Sequence, residues 1–390
     1  MNNTWKIYFL TLVSFVVGTS QFVIVGTLDK VADSIGVSVS TAGQLITVFA
    51  LGNAIGTPLV MVATSKMDQR KQLLLSLATI LLGVIGIIAL PGLGLLMASR
   101  VLLGIGTGVF VVTAYGLAAK FAVPGRQGRA MANVAMGYSS SLVFGVPLGR
   151  MVALSYDWKV IFWGIGIFSL LAIFTVARTI PVMESEEAVS LSKRLALLTN
   201  PRVLLTLCVT FFVFISYSIL NTYITPFLTV IMPRMKENVS IVLLAMGIAS
   251  LIGSKLGGLL ADRIGIVPTL VGSMGIHILS LMLLFTVSGF EQPMVILPLL
   301  MIWEIAAWTF GPTQNFNLVS LTPEASSIAL SLNSSFVQLG FATGAGIGGI
   351  ITKKSTILEI SWVGAVSVMI ALLIGMFSFR RSPKLLSVQQ

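Results

Sequence analysis

Stretches of about twenty mostly apolar residues recur along this chain, and nothing constrains its fold more. A helix needs about 20 such residues to cross the ~30 Å hydrocarbon core of a bilayer. Twelve runs meet that need, with limits near 8–28, 41–63, 73–90, 95–119, 131–154, 160–179, 203–230, 239–261, 268–289, 293–316, 326–351 and 359–379. They are called spans 1 to 12 below. Composition agrees: 56% of residues are hydrophobic and 9% charged, against roughly 25% charged in soluble domains. Such a chain cannot cover itself with polar surface in water. In lipid, a helix satisfies its own backbone. The reading is an all-α polytopic membrane protein with twelve transmembrane helices. Span 1 is long enough to stay as a span rather than leave as a signal peptide.

The gaps are short except near 180–202. That stretch holds Pro181, Glu184, Glu186, Glu187, Lys193, Arg194, Pro201 and Arg202, and it reads as a solvated linker. The expected organisation is therefore a six-helix bundle over 1–180, a cytoplasmic linker over 181–202 and a second six-helix bundle over 203–390. Cations orient the whole. With the N-terminus in the cytoplasm, the inner segments carry 15 of the 24 Lys and Arg, Lys66, Arg70, Lys71, Arg126, Arg129 and Arg263 among them. The outer segments carry six: Lys30, Lys159, Arg234, Lys236, Lys353 and Lys354. Arg100, Arg150 and Lys255 fall inside spans. The positive-inside rule then puts both termini and the linker in the cytoplasm, with the basic charge against anionic lipid.

The net charge of +11 raises nucleic-acid binding for a soluble protein, but here the cations sit in short loops between apolar runs and set topology. One cysteine, Cys208, and one histidine, His277, exclude an internal disulfide and the usual cysteine or histidine metal sites. No cofactor or metal is expected. A multi-spanning enzyme would carry clustered catalytic acids, histidines or a metal motif at a membrane face, and that pattern is missing from the sequence. A receptor without transport would often signal through a long soluble domain, for which no segment is long enough.

Short motifs recur six spans apart, as expected of duplicated halves. Asp68-Gln69-Arg70-Lys71 follows span 2, and Gly258-x-x-x-Asp262-Arg263-x-Gly265 ends span 8. Gly145-Val-Pro147-Leu-Gly149 lies in span 5, and Gly340, Gly344, Gly346, Gly348 and Gly349 in span 11. Asn133 and Asn333 stand early in spans 5 and 11. In the span 8 motif, glycine permits close helix contact. Asp262 can meet a helix N-terminus or a loop arginine and latch one side shut. The alternative is an ordinary charged loop. Arg100, in Arg100-Val-Leu-Leu-Gly104, stands about two turns inside span 4, and either faces a wet cavity or partner or snorkels to the outer interface. The glycines and proline of span 5 allow tight packing and free a backbone carbonyl, or they form a plain packing kink.

These motifs resemble the major facilitator superfamily over essentially the whole chain. The span 8 motif resembles its signature loop. The first-half copy departs from the pattern, with Lys66 and Met67 where Asp and Arg are expected, and only Arg70 and Lys71 remain. The span 4 motif is similar to one whose arginine is implicated in proton handling. The span 5 motif is similar to the antiporter motif associated with efflux. The likeness extends to bacterial twelve-helix drug:proton antiporters. Gly43-Gln44-Leu45-Ile46-x-Val48-Phe49-Ala50, Gly145-Val-Pro147-Leu-Gly149 and Gly344-x-Gly346-x-Gly348-Gly349 are similar to the branch that exports sugars, purines and nucleosides. Members of that branch often carry a glutamate in span 1, where this chain has Thr19-Ser20-Gln21-Phe22-Val23. Glutamine carries no exchangeable proton charge.

Glu304, near the middle of span 10, is the acid clearly inside a span, and an intramembrane carboxyl points to function. Its two readings are proton coupling, together with Arg100, and a structural pair with Lys255 or a polar helix end. Asp29 at the outer end of span 1 is the weaker acid for the role and reads as interfacial. Lys255 reads as snorkelling, and His277 as a neutral histidine hydrogen-bonded in the bundle. By resemblance, cargo binds near the midplane between the halves. The candidates are Gln21, Asn53, Tyr115, Asn133, Tyr217, Asn221, Trp308, Gln314, Asn315, Asn333 and Gln338. Tyr217 and Asn221 share a helix face, as do Glu304 and Trp308. Amides and aromatic rings suit a neutral polar molecule such as a nucleobase, nucleoside or sugar, and they also admit an amphipathic drug. The same side chains serve equally for helix–helix hydrogen bonding. The expected protein is a monomeric exporter of the cytoplasmic membrane. It exchanges a small molecule for protons by alternating access, with Gly258, Asp262, Arg263, Gly265, Arg70, Lys71, Gly145, Pro147 and Gly149 in its conformational machinery. A facilitator or importer on the same fold is the alternative.

Overall fold

The computed structural model describes residues 3–123, 126–182, 196–290 and 292–380. Most of the predicted linker, and with it the acids near 185 and the Lys193–Arg194 pair, lies outside the described residues. The described residues form twelve long helical rods. They are α1 (Asn3–Ile35), α2 (Val39–Ala63), α3 (Gln69–Ala89), α4 (Leu93–Phe121), α5 (127–155) and α6 (Lys159–Thr179). There follow α7 (Pro201–Thr222, resuming as Ile224–Ile231), α8 (Val239–Ile264), α9 (Ile266–Val287), α10 (Pro293–Leu321), α11 (Ser326–Lys354) and α12 (Glu359–Arg380). Eleven are long and apolar enough to cross a membrane. The exception is α5, whose first half holds Gln127, Arg129, Asn133, Ser139 and Ser140.

Local chemistry sets the ends and bends. The Ser38 hydroxyl caps α2 by accepting from the Thr41 amide at 3.1 Å, Asp68 caps α3 through the Lys71 amide at 3.0 Å, and Asn200 caps α7 through the Arg202 amide at 3.0 Å. Between α8 and α9 the chain turns at Gly265 with φ +93°, a conformation that favours glycine. Two rods carry a π-turn, Gly52–Gly56 in α2 and Ser141–Gly145 in α5. Each lies just before a proline, Pro58 or Pro147. A proline ring clashes with the carbonyl four residues back. That carbonyl, of Ala54 or Val143, falls inside the wider turn, which absorbs the clash. Span 7, expected to be continuous, is instead broken at Tyr223 (φ −107°, ψ 18°), where Pro226 removes a ladder donor.

The chain divides into two compact units, Met1–Ala188 and Val189–Gln390. Within the first, α1 packs on α5, α2 on α4, and α3 on both α4 and α6. Within the second, α7 packs on α11, α8 on α10, and α9 on both α10 and α12. Every pairing recurs six helices later, as duplicated sequence motifs imply. Glycines bring the partners together. A β-carbon on Gly104 of α4 would run into the Phe49 carbonyl of α2. One on Gly253 or Gly257 of α8 would meet the Ile305 or Thr309 carbonyl of α10. The core of the second unit includes Val209, Val213, Leu270, Met274, Phe310 and Val368 from α7, α9, α10 and α12.

Candidate functional site

The most concentrated buried chemistry lies in the second unit, where α7 meets α10. Glu304 is 3% exposed. It does not pair with Lys255, which is exposed on α8; its Oε1 accepts from the Tyr217 hydroxyl at 3.1 Å. The same hydroxyl oxygen accepts from the Asn221 amide at 3.2 Å and from the Trp308 indole at 3.1 Å. A phenol has one proton to give and two lone pairs to accept with, so this one is saturated. The two predicted face-sharing pairs thus converge on a single atom. Rings hold it in place: Trp303 stacks on Tyr217 at 5.4 Å and 17°, while Trp308 and Phe341 present edges at 6.0 and 5.8 Å. Glu304 Oε2 is buried without a hydrogen-bond partner.

A second polar set lies further along α10. Gln314 donates to the Thr206 carbonyl at 2.7 Å and to the Thr210 hydroxyl at 3.1 Å. Thr210 donates to Asn333 Oδ1 at 2.7 Å, and Asn333 donates to Asn315 Oδ1 at 2.9 Å. Here the predicted residues Gln314, Asn315 and Asn333 bond to one another and to α7. They tie α7, α10 and α11 together, in keeping with the helix–helix reading. Gln338 keeps a buried, unpartnered Oε1.

In the first unit, Arg100 does not snorkel; it is 1% exposed. Its guanidinium donates to the backbone carbonyls of Ser20 (2.8 Å), Gln21 (3.2 Å) and Leu45 (3.3 Å), and lies over the Phe49 ring at 4.5 Å. No carboxylate pairs with it among the described residues. Gln21, at the position where an acid was looked for, accepts from the Tyr138 hydroxyl. Asn53 is buried in the α2 π-turn, facing Gly108. Tyr115 and Asn133 are half-buried on α4 and α5.

The gating candidates separate. Gly145 and Gly149 pack directly on Thr19 and Val23 of α1, with Pro147 between them. Arg70 donates to the Ala177 carbonyl at the end of α6, and Lys71 pairs with Asp68 at 3.1 Å. Burial pulls the Asp68 carboxyl upward, but the Lys71 amide and charge outweigh it and hold it below the usual carboxylate value. In the span 8 motif, the expected close contact at Gly258 is absent: nothing lies within 4 Å of a β-carbon there. The approach falls on Gly253 and Gly257 instead, where Thr309 and Thr313 donate to the two glycine carbonyls at 3.1 Å. Asp262 and Arg263 are exposed and form no ion pair among the described residues.

Sequence reasoning missed three participants. Asp29 is not simply interfacial but pairs with Arg150 of α5, whose presence inside a span was the available signal. Tyr138 and Trp303 gave no signal beyond their residue type.

Comparison with known proteins fits this architecture. The chain aligns over nearly its full length with two structures of a bacterial homolog of the human lysosomal transporter Spinster, both inward-facing. The unoccupied one gives a TM-score of 0.76 at 13% identity and the occupied one 0.77 at 16%, each covering 97% of both chains. At that identity the likeness shows the fold. An MFS-type transporter of Bacillus subtilis (strain 168), YbcL, described as uncharacterized, is 44% identical over 384 residues, 98% of each chain. The sequence profile of the Major Facilitator Superfamily matches residues 10–328. The chain belongs to the Major Facilitator Superfamily: it is a multi-pass membrane transporter of small molecules with the twelve-helix fold of that family, and not an enzyme.

Proposed function

We propose that the protein exports a small polar molecule across the cytoplasmic membrane in exchange for protons, working as a monomer by alternating access with both termini in the cytoplasm. One observation carries the reading. Glu304 is held by one oxygen on a saturated tyrosine hydroxyl, and its other oxygen is buried without a hydrogen-bond partner. A buried polar atom without a partner is costly, and a proton or a cargo hydrogen-bond donor relieves that cost. Asn221 and Trp308 bracket the same place, which suits a planar polar cargo such as a nucleobase or nucleoside, or a sugar. The tight seating of Gly145 and Gly149 on α1 supports the antiporter resemblance and, through it, export. Arg100, bound to carbonyls alone, would act in coupling by holding α1 and α2 on α4.

A facilitator is the second reading, and Gln21 favours it, because no acid pairs with Arg100 among the described residues. Sealed proteoliposomes with an imposed pH gradient separate the two. The panel is labelled purines, nucleosides, arabinose and a cationic dye, with protein-free vesicles as control. Proton-driven antiport predicts accumulation of one solute only with the gradient, reduced about 100-fold in Glu304→Gln, a loss typical of removing a proton-transfer group. Equilibration of that solute regardless of the gradient overturns the antiport reading. Unchanged gradient-driven transport in Glu304→Gln overturns the role of the carboxyl.

A further inference from the structure

We infer that His277 is a positioning residue for Glu304, acting across two helices through Trp303; the inference rests on the reading of Glu304 as the working carboxyl. His277 sits on α9 and is 1% exposed. Its Nε2 lies 2.9 Å from the Trp303 indole nitrogen and 3.2 Å from the Ser216 hydroxyl. An indole N–H only donates. Nε2 is therefore the acceptor for Trp303 and the proton of the neutral ring is on Nδ1, while the Ser216 hydroxyl lies within reach of the same nitrogen. One imidazole nitrogen thus gathers α7, α9 and α10.

The consequence reaches the carboxyl through ring packing. Trp303 is fully buried, and its one donor is held by the histidine, so the indole plane cannot tilt without losing that bond. Its face lies against the Tyr217 ring. Tyr217 is then confined between that face and the edges of Trp308 and Phe341. With both lone pairs taken by Asn221 and Trp308, the phenol proton is left to Glu304 Oε1. The imidazole fixes the indole, the indole fixes the phenol, and the phenol fixes the carboxyl. Glu304 itself is not touched by His277. A histidine that only filled space in the bundle would not need an acceptor nitrogen at this position.

The test needs no cargo. Tryptophan emission of the purified full-length protein in detergent is followed against pH, over the range in which it elutes as a single species. Trp308 shares its hydroxyl partner with Glu304 and so reports on that carboxyl. The unaltered protein is expected to show a step that Glu304→Gln removes. In His277→Leu, and in Trp303→Phe, the midpoint is expected to move by about half a pH unit or more. His277→Gln, which keeps an acceptor oxygen near the Nε2 position, is expected to return it close to the original value. A midpoint in His277→Leu equal to the original, or one in His277→Gln displaced as far as in His277→Leu, overturns the positioning role. If His277→Leu does not fold, Trp303→Phe decides, and an unmoved midpoint there overturns the inference. A step that survives Glu304→Gln overturns instead the reading of Glu304 on which this rests.

Discussion

Among the described residues, the buried basic and acidic side chains of the unit Met1–Ala188 are the cations Arg100 and Arg150; in Val189–Gln390 they are an acid, Glu304, and a histidine, His277. Both units nevertheless use the same helix pairings, shifted by six. The contrast separates two kinds of information. Packing between paired helices depends on where a β-carbon is missing, so a few glycines on one face are enough to repeat it. Charge rides on side chains that reach beyond those contacts and can differ without disturbing them. The first unit satisfies its arginines with backbone carbonyls, an aromatic face and one ion pair. The second satisfies its acid with a phenol and leaves one oxygen bare. The first arrangement leaves a donor unmet, the Nε of Arg150, and the second leaves an acceptor unmet, the Oε2 of Glu304.

The largest effect is expected where the units agree. Gly104→Ala in the first and Gly253→Ala in the second each drive a methyl group into a facing backbone carbonyl. Each should cost about 3 kcal/mol, the upper range for overpacking, read as a fall in the unfolding midpoint of the detergent-purified protein. Gly258→Ala, where nothing is near, should lie within about 0.5 kcal/mol of the parent. A much larger loss in one unit than in the other would break the equivalence of the two scaffolds. A large loss in Gly258→Ala would return close packing to the signature glycine.

What the sequence made legible follows the same division. Helix number came from run length and the family from short motifs, both of which are written locally along the chain. Glu304 stood out because an acid inside an apolar run has few explanations. Tyr217, Asn221 and Trp308 were candidates as polar and aromatic residues on helices that the family likeness places at the cavity, and their i, i+4 spacing to one another or to Glu304 was visible. That the two pairs meet on one oxygen was not visible, since it depends on how α7 rotates against α10. The Arg150–Asp29 pair was hidden for the same reason, being separated by 121 residues. Gly258 drew notice through its motif, while Gly253 and Gly257, which face α10, lie outside that motif. The π-turns were unreadable because proline marks a disturbance in a helix without saying how the backbone absorbs it.

The Arg150–Asp29 pair sharpens the contrast, because no ion pair occurs in the second unit among the described residues. Arg150 is 3% exposed and Asp29 25%. Removing the acid strands a buried cation whose Nε already lacks a partner, whereas removing the cation leaves an acid with partial access to water. Asp29→Asn is therefore expected to cost about 2 kcal/mol and Arg150→Leu under about 1 kcal/mol. The double variant should fall near Arg150→Leu, a non-additivity that a double-mutant cycle on the unfolding midpoint measures. Equal losses for the two single variants would mean that the pair is as wet on the α5 side as on the α1 side.

The smallest effect concerns the ends of α3 and α9, which correspond across the duplication. Asp68 caps α3 with its side chain, whereas α9 starts after Gly265 without a side-chain cap. Asp68→Ala should cost about 1 kcal/mol at neutral pH. The sign of the pH dependence follows from the direction of the shift. The folded carboxyl is held below its ordinary 3.8, despite burial, by the Lys71 amide and charge. Its contribution is therefore complete above that ordinary value and disappears as the pH falls through the lower, folded one. The gap in unfolding midpoint between the parent and Asp68→Ala should be full at neutral pH and close in acid. Asp68→Asn, an equally good cap without a charge, should keep most of the neutral-pH stability and lose the acid dependence. A gap that persists unchanged in acid would mean that the Asp68 side chain caps α3 equally well when protonated, and the absence of a gap at neutral pH would mean that the Arg70 contact to Ala177 holds the first turn instead.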